Sequence, residues 1–308
     1  SEELGVRQIT HLVDANEAQE TLSQFVNIYD EPFGDTSGIP TYILSKIARN
    51  HVKVALSADG GDEQFCGYDS YQKYTKNYLC IKKIPYFMRS VITRLMRNMV
   101  PYHTIINKLI KNNTSTLNPQ YTARYEKMIE FGKINSIGDL IKVMYEKAWT
   151  TDCVSNLIPK SGMNIFDHVP IMHDLYNSTF DEIINTMMIT DYKIFLRDDI
   201  LTKVDRASMA VSLECRDPML DHRIAELAFK IPLSYLYKNG ENKRILKYIL
   251  RKWINNDIVN SPKRGFVMPL YHWLKGPWKP IVYNYLSKEN INKIGVLKER
   301  TVEKELNK

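Results

Sequence analysis

Residues 56–68 read LSADGGDEQFCGY and carry three carboxylates, Asp59, Asp62 and Glu63, within five positions. The glycines among them let the backbone approach a bound group closely, and carboxylate oxygens suit Mg²⁺ that also binds phosphate oxygens. The alternative is an ordinary turn between a strand and a helix, for which Asp and Gly are common residues. Because three neighbouring carboxylates repel one another unless a cation or substrate compensates them, the segment favours a metal and phosphate site.

A second acidic loop precedes this one, since residues 30–40 read DEPFGDTSGIP and lead into a helix. The amino end of a helix attracts anions, so a loop held by two prolines could shape a polar pocket around Asp35. The alternative is a plain connection between helices that Thr36 or Ser37 caps.

Two later segments supply positive charge. Lys243 opens a helical stretch, and residues 261–266 read SPKRGF, a loop that proline stiffens. Lys263 in such a loop can neutralise charge on a departing phosphate group. The alternative is a solvated basic loop.

Residues 196–223 carry many charges in a pattern with helical spacing. Asp199, Lys203 and Arg206 fall on one face of a helix at i, i+4 and i+7, which by itself predicts a salt-bridged face. Ile194, Leu201 and Val204 are expected to point inward, and Glu214 and Arg216 are expected to form a structural pair before Pro218.

The elements that must position these residues alternate at the amino-terminal end. We expect a strand at 7–13, helices at 17–28 and 40–50, and a parallel strand at 53–57 that is buried on both faces. This order predicts an α/β fold with a doubly wound parallel sheet, which binds ligands at the carboxyl ends of its strands. Residues 1–70 form the α/β nucleotide-binding part in this interpretation, and residues 71–308 form a mostly helical part that completes the site.

Composition excludes several classes of protein. The 308 residues have 44% hydrophobic and 25% charged residues and no apolar run of about 20 residues, so we expect no membrane span and a cytoplasmic location. The net charge of +7 is spread among acidic and apolar residues, which favours a solvated face or a nucleotide site over nucleic-acid binding. The four cysteines are scattered, which favours reduced thiols.

Taken together, these four segments resemble the signature of the asparagine synthase family over nearly the whole chain. They match the patterns D-E-P-F-G-D, S-x-D-G-G-D-E-x-F-x-G-Y, K-V-D-R-x-S-M-A-x-S-L-E-x-R-x-P-x-L-D-H-R and P-K-R-G-F. The resemblance is to the synthetase (ATP-pyrophosphatase) domain of glutamine-dependent asparagine synthetases, with a sheet like that of adenine nucleotide alpha hydrolases. It implies a ligase that uses ATP and Mg²⁺ to convert a carboxylate, typically of aspartate, into an adenylate, which ammonia then attacks.

The resemblance also implies a role for each matching position. Asp59 would help to deprotonate the attacking ammonia, Asp62 would bind Mg²⁺, Lys263 would stabilise the departing pyrophosphate, and Asp35 would lie near the carboxylate substrate. The implied nucleotide-binding residues are Ser57, Ala58, Gly60, Gly61 and Lys243.

The chain departs from the family's pattern at several points. Ala58 and Cys66 stand where the family usually has glycine, Ser1 stands in place of the glutaminase cysteine, and an S-G-G-x-D-S phosphate loop is not found. We therefore expect no glutaminase domain within this chain, so ammonia would come from a glutaminase domain elsewhere or from a partner. We also expect weak ATP binding and little activity of this chain alone. The chain should associate with itself or expose an apolar patch.

Other readings stay open. The chain could amidate another carboxylate such as a sugar acid, cyclise a substrate as β-lactam synthetases do, or act as a silent scaffold of the family.

Overall fold

The computed structural model describes residues 4–96, 127–146, 151–158, 178–261, 265 and 268–306. Its residues group into two compact units. The first unit comprises Ser1–Asp69 and Met188–Tyr283, and the second comprises Ser70–Met187 and Asn284–Lys308. All the proposed site residues that the structure describes belong to the first unit. The functional division into residues 1–70 and 71–308 stays a prediction.

The described part of the chain is rich in helices and has a small parallel sheet, as an α/β interpretation requires. The described residues include two strands, β1 (Val54–Leu56) and β2 (Glu214–Arg216), together with a π-helix (Leu196–Leu201) and a 3-10 helix (Pro218–Leu220). The α-helices are α1 (Ala15–Ile28), α2 (Gly38–Arg49), α3 (Gly61–Gln64), α4 (Asp69–Lys82), α5 (Ile137–Tyr145), α6 (Thr151–Leu157), α7 (Phe180–Lys193), α8 (Thr202–Met209), α9 (His222–Ala228), α10 (Leu233–Leu236), α11 (Arg244–Leu250), α12 (Asn256–Val259), α13 (Leu270–Lys275), α14 (Lys279–Tyr285), α15 (Lys288–Ile294) and α16 (Glu299–Leu306).

The first two helices form as the sequence predicts. Asp14 caps α1, where its carboxylate accepts hydrogen bonds from the N–H groups of Asn16 and Glu17 at 2.8 and 2.9 Å. Pro40 lies in the first turn of α2, where its missing N–H costs no helical hydrogen bond. The buried side chains where α1 and α2 pack are Ala18, Ile39, Ile43 and Trp278.

The two strands pair in parallel, with Val54 opposite Glu214 and Leu56 opposite Arg216. The predicted parallel strand is confirmed. The prediction that this strand is buried on both faces is wrong, because Leu56 is 74% exposed. In the described part of the chain β1 pairs only with β2, so one edge of β1 has no described strand beside it.

The strand predicted at residues 7–13 is also wrong, since residues 6–14 form neither strand nor helix. A strand is held by hydrogen bonds to a neighbouring strand, and no described strand pairs with this segment. Leu12 is 88% exposed, and Ile9, Leu44 and Leu56 are also exposed. Several apolar side chains are therefore exposed individually in this part of the chain.

The π-helix changes which residues of the charged segment are buried. Ile194, Leu201 and Val204, which we expected to face inward, are only half-buried, whereas Leu196 is buried. The wider turn of the π-helix shifts the register of the residues that follow it, such as Val204, away from a pattern of 3.6 residues per turn.

The second unit has its own apolar core, with Ile137, Leu140, Ile183 and Met187 buried. Ser136 and Asp139 begin α5 with reciprocal side-chain to backbone hydrogen bonds. Among the described residues, no helix is long and apolar enough to cross a membrane.

Candidate active site

The acidic segment begins directly after β1 and turns sharply into α3. Gly60 adopts a φ of 83°, in the left-handed region, and a Cβ there would lie 2.2 Å from Leu220 Cδ2. Glycine is therefore required by both conformation and space. Gln64 is buried and donates a hydrogen bond to the carbonyl of Met219 at 3.0 Å, which ties α3 to the segment after β2.

The three carboxylates of this segment contact different neighbours. Asp59 accepts a hydrogen bond from the Ser57 hydroxyl at 2.7 Å, Asp62 pairs with Lys243, and Glu63 accepts one from the Tyr68 hydroxyl at 2.5 Å. In the described part of the chain, no group of three or more acidic, His or Cys side chains could hold a metal ion. A site made only of protein carboxylates is therefore not formed by the described residues.

Lys243 and Asp62 come together from positions about 180 residues apart. The Nζ of Lys243 lies 2.9 Å from Oδ1 of Asp62, and the two side chains are 31% and 20% exposed. A Cβ at Gly61 would lie 4.0 Å from the same Nζ, so the glycine backbone, the carboxylate and the ammonium share one small region.

Gly67 makes room for this ion pair. A Cβ at position 67 would lie 1.9 Å from Oδ1 of Asp62 and 2.3 Å from Cε of Lys243. The preceding residue, Cys66, is fully buried and has a φ of 53°, in the region that glycine adopts most easily.

Glu63 is the most buried of the three acids, with 1% exposure. Burial raises the pKa of Glu63 above its usual value, and the charges of Asp62 and Asp191 raise it further, while the hydrogen bond from Tyr68 opposes this shift. Burial also raises the pKa of Tyr68. Glu63 is therefore part of the support beneath the turn and not an exposed ligand.

Asp217 is a residue of this region that the sequence analysis missed. It follows β2 directly, and its Oδ1 is buried without a hydrogen-bond partner among the described residues. Burial raises the pKa of Asp217 and the Asp59 carboxylate adds to the rise, whereas the Ser57 hydroxyl and the Asp59 backbone oppose it. The signal was its position after a strand parallel to β1, because such strands end at the same edge.

Asp35 lies in a separate network. Its Oδ2 is 2.7 Å from Lys203 Nζ and 2.7 Å from Ser37 Oγ, and its Oδ1 accepts the Ser37 N–H at 2.9 Å. Burial alone would raise the pKa of Asp35, but the hydrogen bonds from Lys203 and Ser37 lower it below its usual value. The carboxylate thus fastens the 30–37 loop to α8.

The salt-bridged helix face predicted for residues 199–206 takes a different form. Lys203 pairs with Asp35, and Arg206 pairs with Asp30 at 2.8 Å, so both cations reach the acidic loop. The predicted Arg216–Glu214 pair is confirmed, with Nε 2.7 Å from Oε1. Lys263 lies outside the described residues.

A family model for asparagine synthase matches residues 1–308. The chain belongs to the asparagine synthase family. Asparagine synthetase (glutamine-hydrolyzing) 1 of Bacillus subtilis strain 168 is 28% identical over 283 residues, which cover 92% of this chain and 41% of the relative. A putative asparagine synthetase (glutamine-hydrolyzing) 2 of Methanocaldococcus jannaschii is 33% identical over 62% of this chain and 32% of the relative.

A more distant relative is amidase chyE of Penicillium rubens, 24% identical over 86% of the chain and 39% of the relative. The chain therefore spans about two fifths of the length of the curated relatives it matches over most of its own length. No solved structure matches it.

Proposed function

We propose that this chain forms the synthetase part of an ATP-dependent, amide-forming ligase. A carboxylate, with aspartate as the first candidate, becomes an acyl-adenylate with release of pyrophosphate. Ammonia then displaces AMP and gives the amide, which is asparagine for aspartate. The observation that supports this proposal is the meeting of the glycine turn, Asp62 and Lys243 beyond the carboxyl end of β1 in a chain of the asparagine synthase family.

In this proposal the nucleotide binds along the turn. Ser57, Ala58, Gly60 and Gly61 present their backbone to the adenylate, and Ala58 is exposed, so its methyl group faces open space. The Lys243 ammonium is the described cation closest to Gly61 and would contact phosphate oxygens.

Asp59 acts in the second step. The ammonia nitrogen bonds to the carbonyl carbon of the adenylate, the bond from that carbon to the AMP oxygen breaks, and the proton lost by nitrogen goes to the Asp59 carboxylate. The hydrogen bond from Ser57 holds that carboxylate in one orientation.

The residues present fit one Mg²⁺ that substrate phosphates also bind. Such ions take one or two protein carboxylates and complete their shell with phosphate oxygens and water. Asp62 is that carboxylate in the proposal, since the structure already has a cation, the Lys243 ammonium, against its Oδ1. When bound, Mg²⁺ would neutralise charge on the phosphate oxygens.

Asp35 acts indirectly in this scheme. Its carboxylate already accepts hydrogen bonds from Lys203 and Ser37, so it would shape the substrate side by fixing the loop. Lys263 would stabilise the departing pyrophosphate.

We further propose that β1 and β2 belong to a larger sheet of the adenine nucleotide alpha hydrolase type. Ammonia comes from a glutaminase domain or partner in this proposal, and the protein can form homo-oligomers.

Exchange of labelled pyrophosphate into ATP tests the first step. In a full-length version that carries the S-G-G-x-D-S loop, we expect exchange that requires both Mg²⁺ and a carboxylate substrate. Exchange should be lost in Asp62→Asn and normal in the control Asp181→Asn, an exposed carboxylate of α7. Normal exchange in Asp62→Asn would reject the metal assignment. The scaffold reading gains support if no carboxylate elicits exchange in the wild-type protein.

A second candidate is the amidation of a carboxylate other than aspartate. It is favoured by the match to a Penicillium rubens relative named as an amidase. The same exchange assay, run with aspartate and with sugar acids in parallel, distinguishes the two, because only the true carboxylate substrate stimulates exchange. Release of AMP without consumption of ammonia would instead indicate a cyclising ligase.

A further inference from the structure

Asp62 has a protein cation against the oxygen at which the proposed function requires a metal ion. The Nζ of Lys243 lies 2.9 Å from Asp62 Oδ1, which is the distance of a close ion pair. The contact is well defined in space, because the absence of a side chain at Gly67 lets both partners pack against bare backbone.

The backbone at Lys243 has an uncommon conformation. Its φ is 52°, in the left-handed region that side-chain-bearing residues seldom adopt, and α11 begins at the next residue. Such conformations persist where surrounding contacts enforce them, and they are concentrated at ligand sites. Here the contact that lies on the Lys243 side chain is the ion pair with Asp62.

Mg²⁺ and the Lys243 ammonium cannot both remain close to this oxygen. Mg²⁺ binds a carboxylate oxygen at about 2.0 to 2.1 Å, so an ammonium still 2.9 Å from the same oxygen would lie within about 5 Å of the metal. Two cations at that separation repel strongly in a partly buried site.

We propose that Lys243 is a placeholder cation, which leaves Asp62 when Mg²⁺ and phosphate arrive together and then binds the phosphate oxygens. The inference rests on the proposed function for the identity of the ligands. It adds an order of events: the metal alone binds weakly because it must displace Lys243, and phosphate lowers that cost because it gives the displaced ammonium a new partner.

Binding of Mn²⁺ alone, followed by electron paramagnetic resonance, tests the first part without turnover. Mn²⁺ prefers the same oxygen ligands as Mg²⁺. We expect Lys243→Met to bind Mn²⁺ on the order of tenfold more tightly than the wild-type protein, because the competing charge is gone. Lys243→Arg should keep the weak wild-type affinity, since it keeps the cation.

Lys247→Met is the matched control, because it removes a lysine from the same helix one turn further on. It should leave Mn²⁺ binding unchanged. The double variant Asp62→Asn with Lys243→Met should lose the gain, which shows that the tighter ion is held by Asp62.

Inorganic pyrophosphate tests the second part. In the presence of Mg²⁺, Lys243→Met should bind pyrophosphate on the order of tenfold more weakly than the wild type, although it binds the metal alone more tightly. A circular dichroism melt establishes that each variant is folded, and Lys243→Gln provides a second neutral side chain if Lys243→Met is not.

Two results would overturn the placeholder role: unchanged or weaker Mn²⁺ binding in the folded neutral variants, or a gain that persists when Asp62 is also replaced. Failure of the proposed ligase function would be recognised separately. In that case the wild-type protein would show no carboxylate-dependent exchange, although Lys243 still competes with Mn²⁺ for Asp62.

Discussion

Replacing Gly67 with alanine tests whether the Asp62–Lys243 pair depends on bare backbone. The new Cβ would lie 1.9 Å from Asp62 Oδ1, 2.3 Å from Lys243 Cε and 2.8 Å from Asp62 Cα. Side-chain movement relieves the first two contacts but breaks the ion pair. The third contact involves backbone, so α3 itself must shift.

These consequences set the expected magnitude. Overpacking costs about 1 to 3 kcal/mol, and loss of a partly exposed ion pair costs about 1 kcal/mol or less. We therefore expect Gly67→Ala to lower the free energy of unfolding by about 1 to 4 kcal/mol. At about 2 to 4 °C per kcal/mol for a unit of this size, the melting temperature falls by roughly 2 to 16 °C.

Gly61→Ala is the matched control, because a Cβ there meets nothing closer than Met219 Cε at 3.8 Å. Alanine is favoured over glycine in a helix by up to about 1 kcal/mol, so this variant should melt at or slightly above the wild-type temperature. It should still weaken ATP binding, since the methyl group lies where the nucleotide is proposed to approach.

Differential scanning calorimetry gives the melting temperatures, and pyrophosphate exchange gives the activity. The reasoning is refuted if Gly67→Ala melts within about 1 °C of the wild type and retains full exchange. Equal destabilisation by Gly61→Ala would also refute it, because the effect would then follow from any added methyl group.

Three further predictions concern other charged residues. Asp217→Asn should stabilise the protein at neutral pH. The raised pKa of Asp217 means that the folded state holds its proton more tightly than the unfolded state, so stability is lost as pH rises through that pKa. In thermal melts at acid pH, where Asp217 is protonated, the advantage of Asn should vanish. Lys203→Met should destabilise by about 1 to 3 kcal/mol in thermal melts, and the loss should shrink as pH falls through the lowered pKa of Asp35, because protonation removes that charge. In a full-length protein, Lys263→Ala should slow adenylate formation on the order of 10²-fold in single-turnover assays with less effect on binding, and an equal rate would exclude its role.

The sequence alone predicted a large share of the local structure. The periodicity of residues 17–28 and the proline at position 40 gave α1 and α2 nearly to their ends, because helix signals are local. The four charged segments likewise indicated the family, which the match over residues 1–308 establishes.

Predictions that depended on contacts with distant parts of the chain failed more often. The strand at residues 7–13 and the burial of β1 failed because pairing and coverage are supplied by other parts of a sheet. In the charged helix, Ile194, Leu201 and Val204 are only half-buried, and sequence periodicity does not reveal the π-helix at Leu196–Leu201.

The sequence by itself determined which chemical groups this protein has near the turn, and only the tertiary structure decided that Lys243 meets Asp62. Local spacing grouped Asp59, Asp62 and Glu63 as one acidic cluster. In the structure Asp59 contacts Ser57, Asp62 contacts Lys243 and Glu63 contacts Tyr68. The reason is physical: a carboxylate's charge and hydrogen bonds are satisfied by whatever the fold brings within about 3 Å, and for Asp62 that group comes from a residue about 180 positions away.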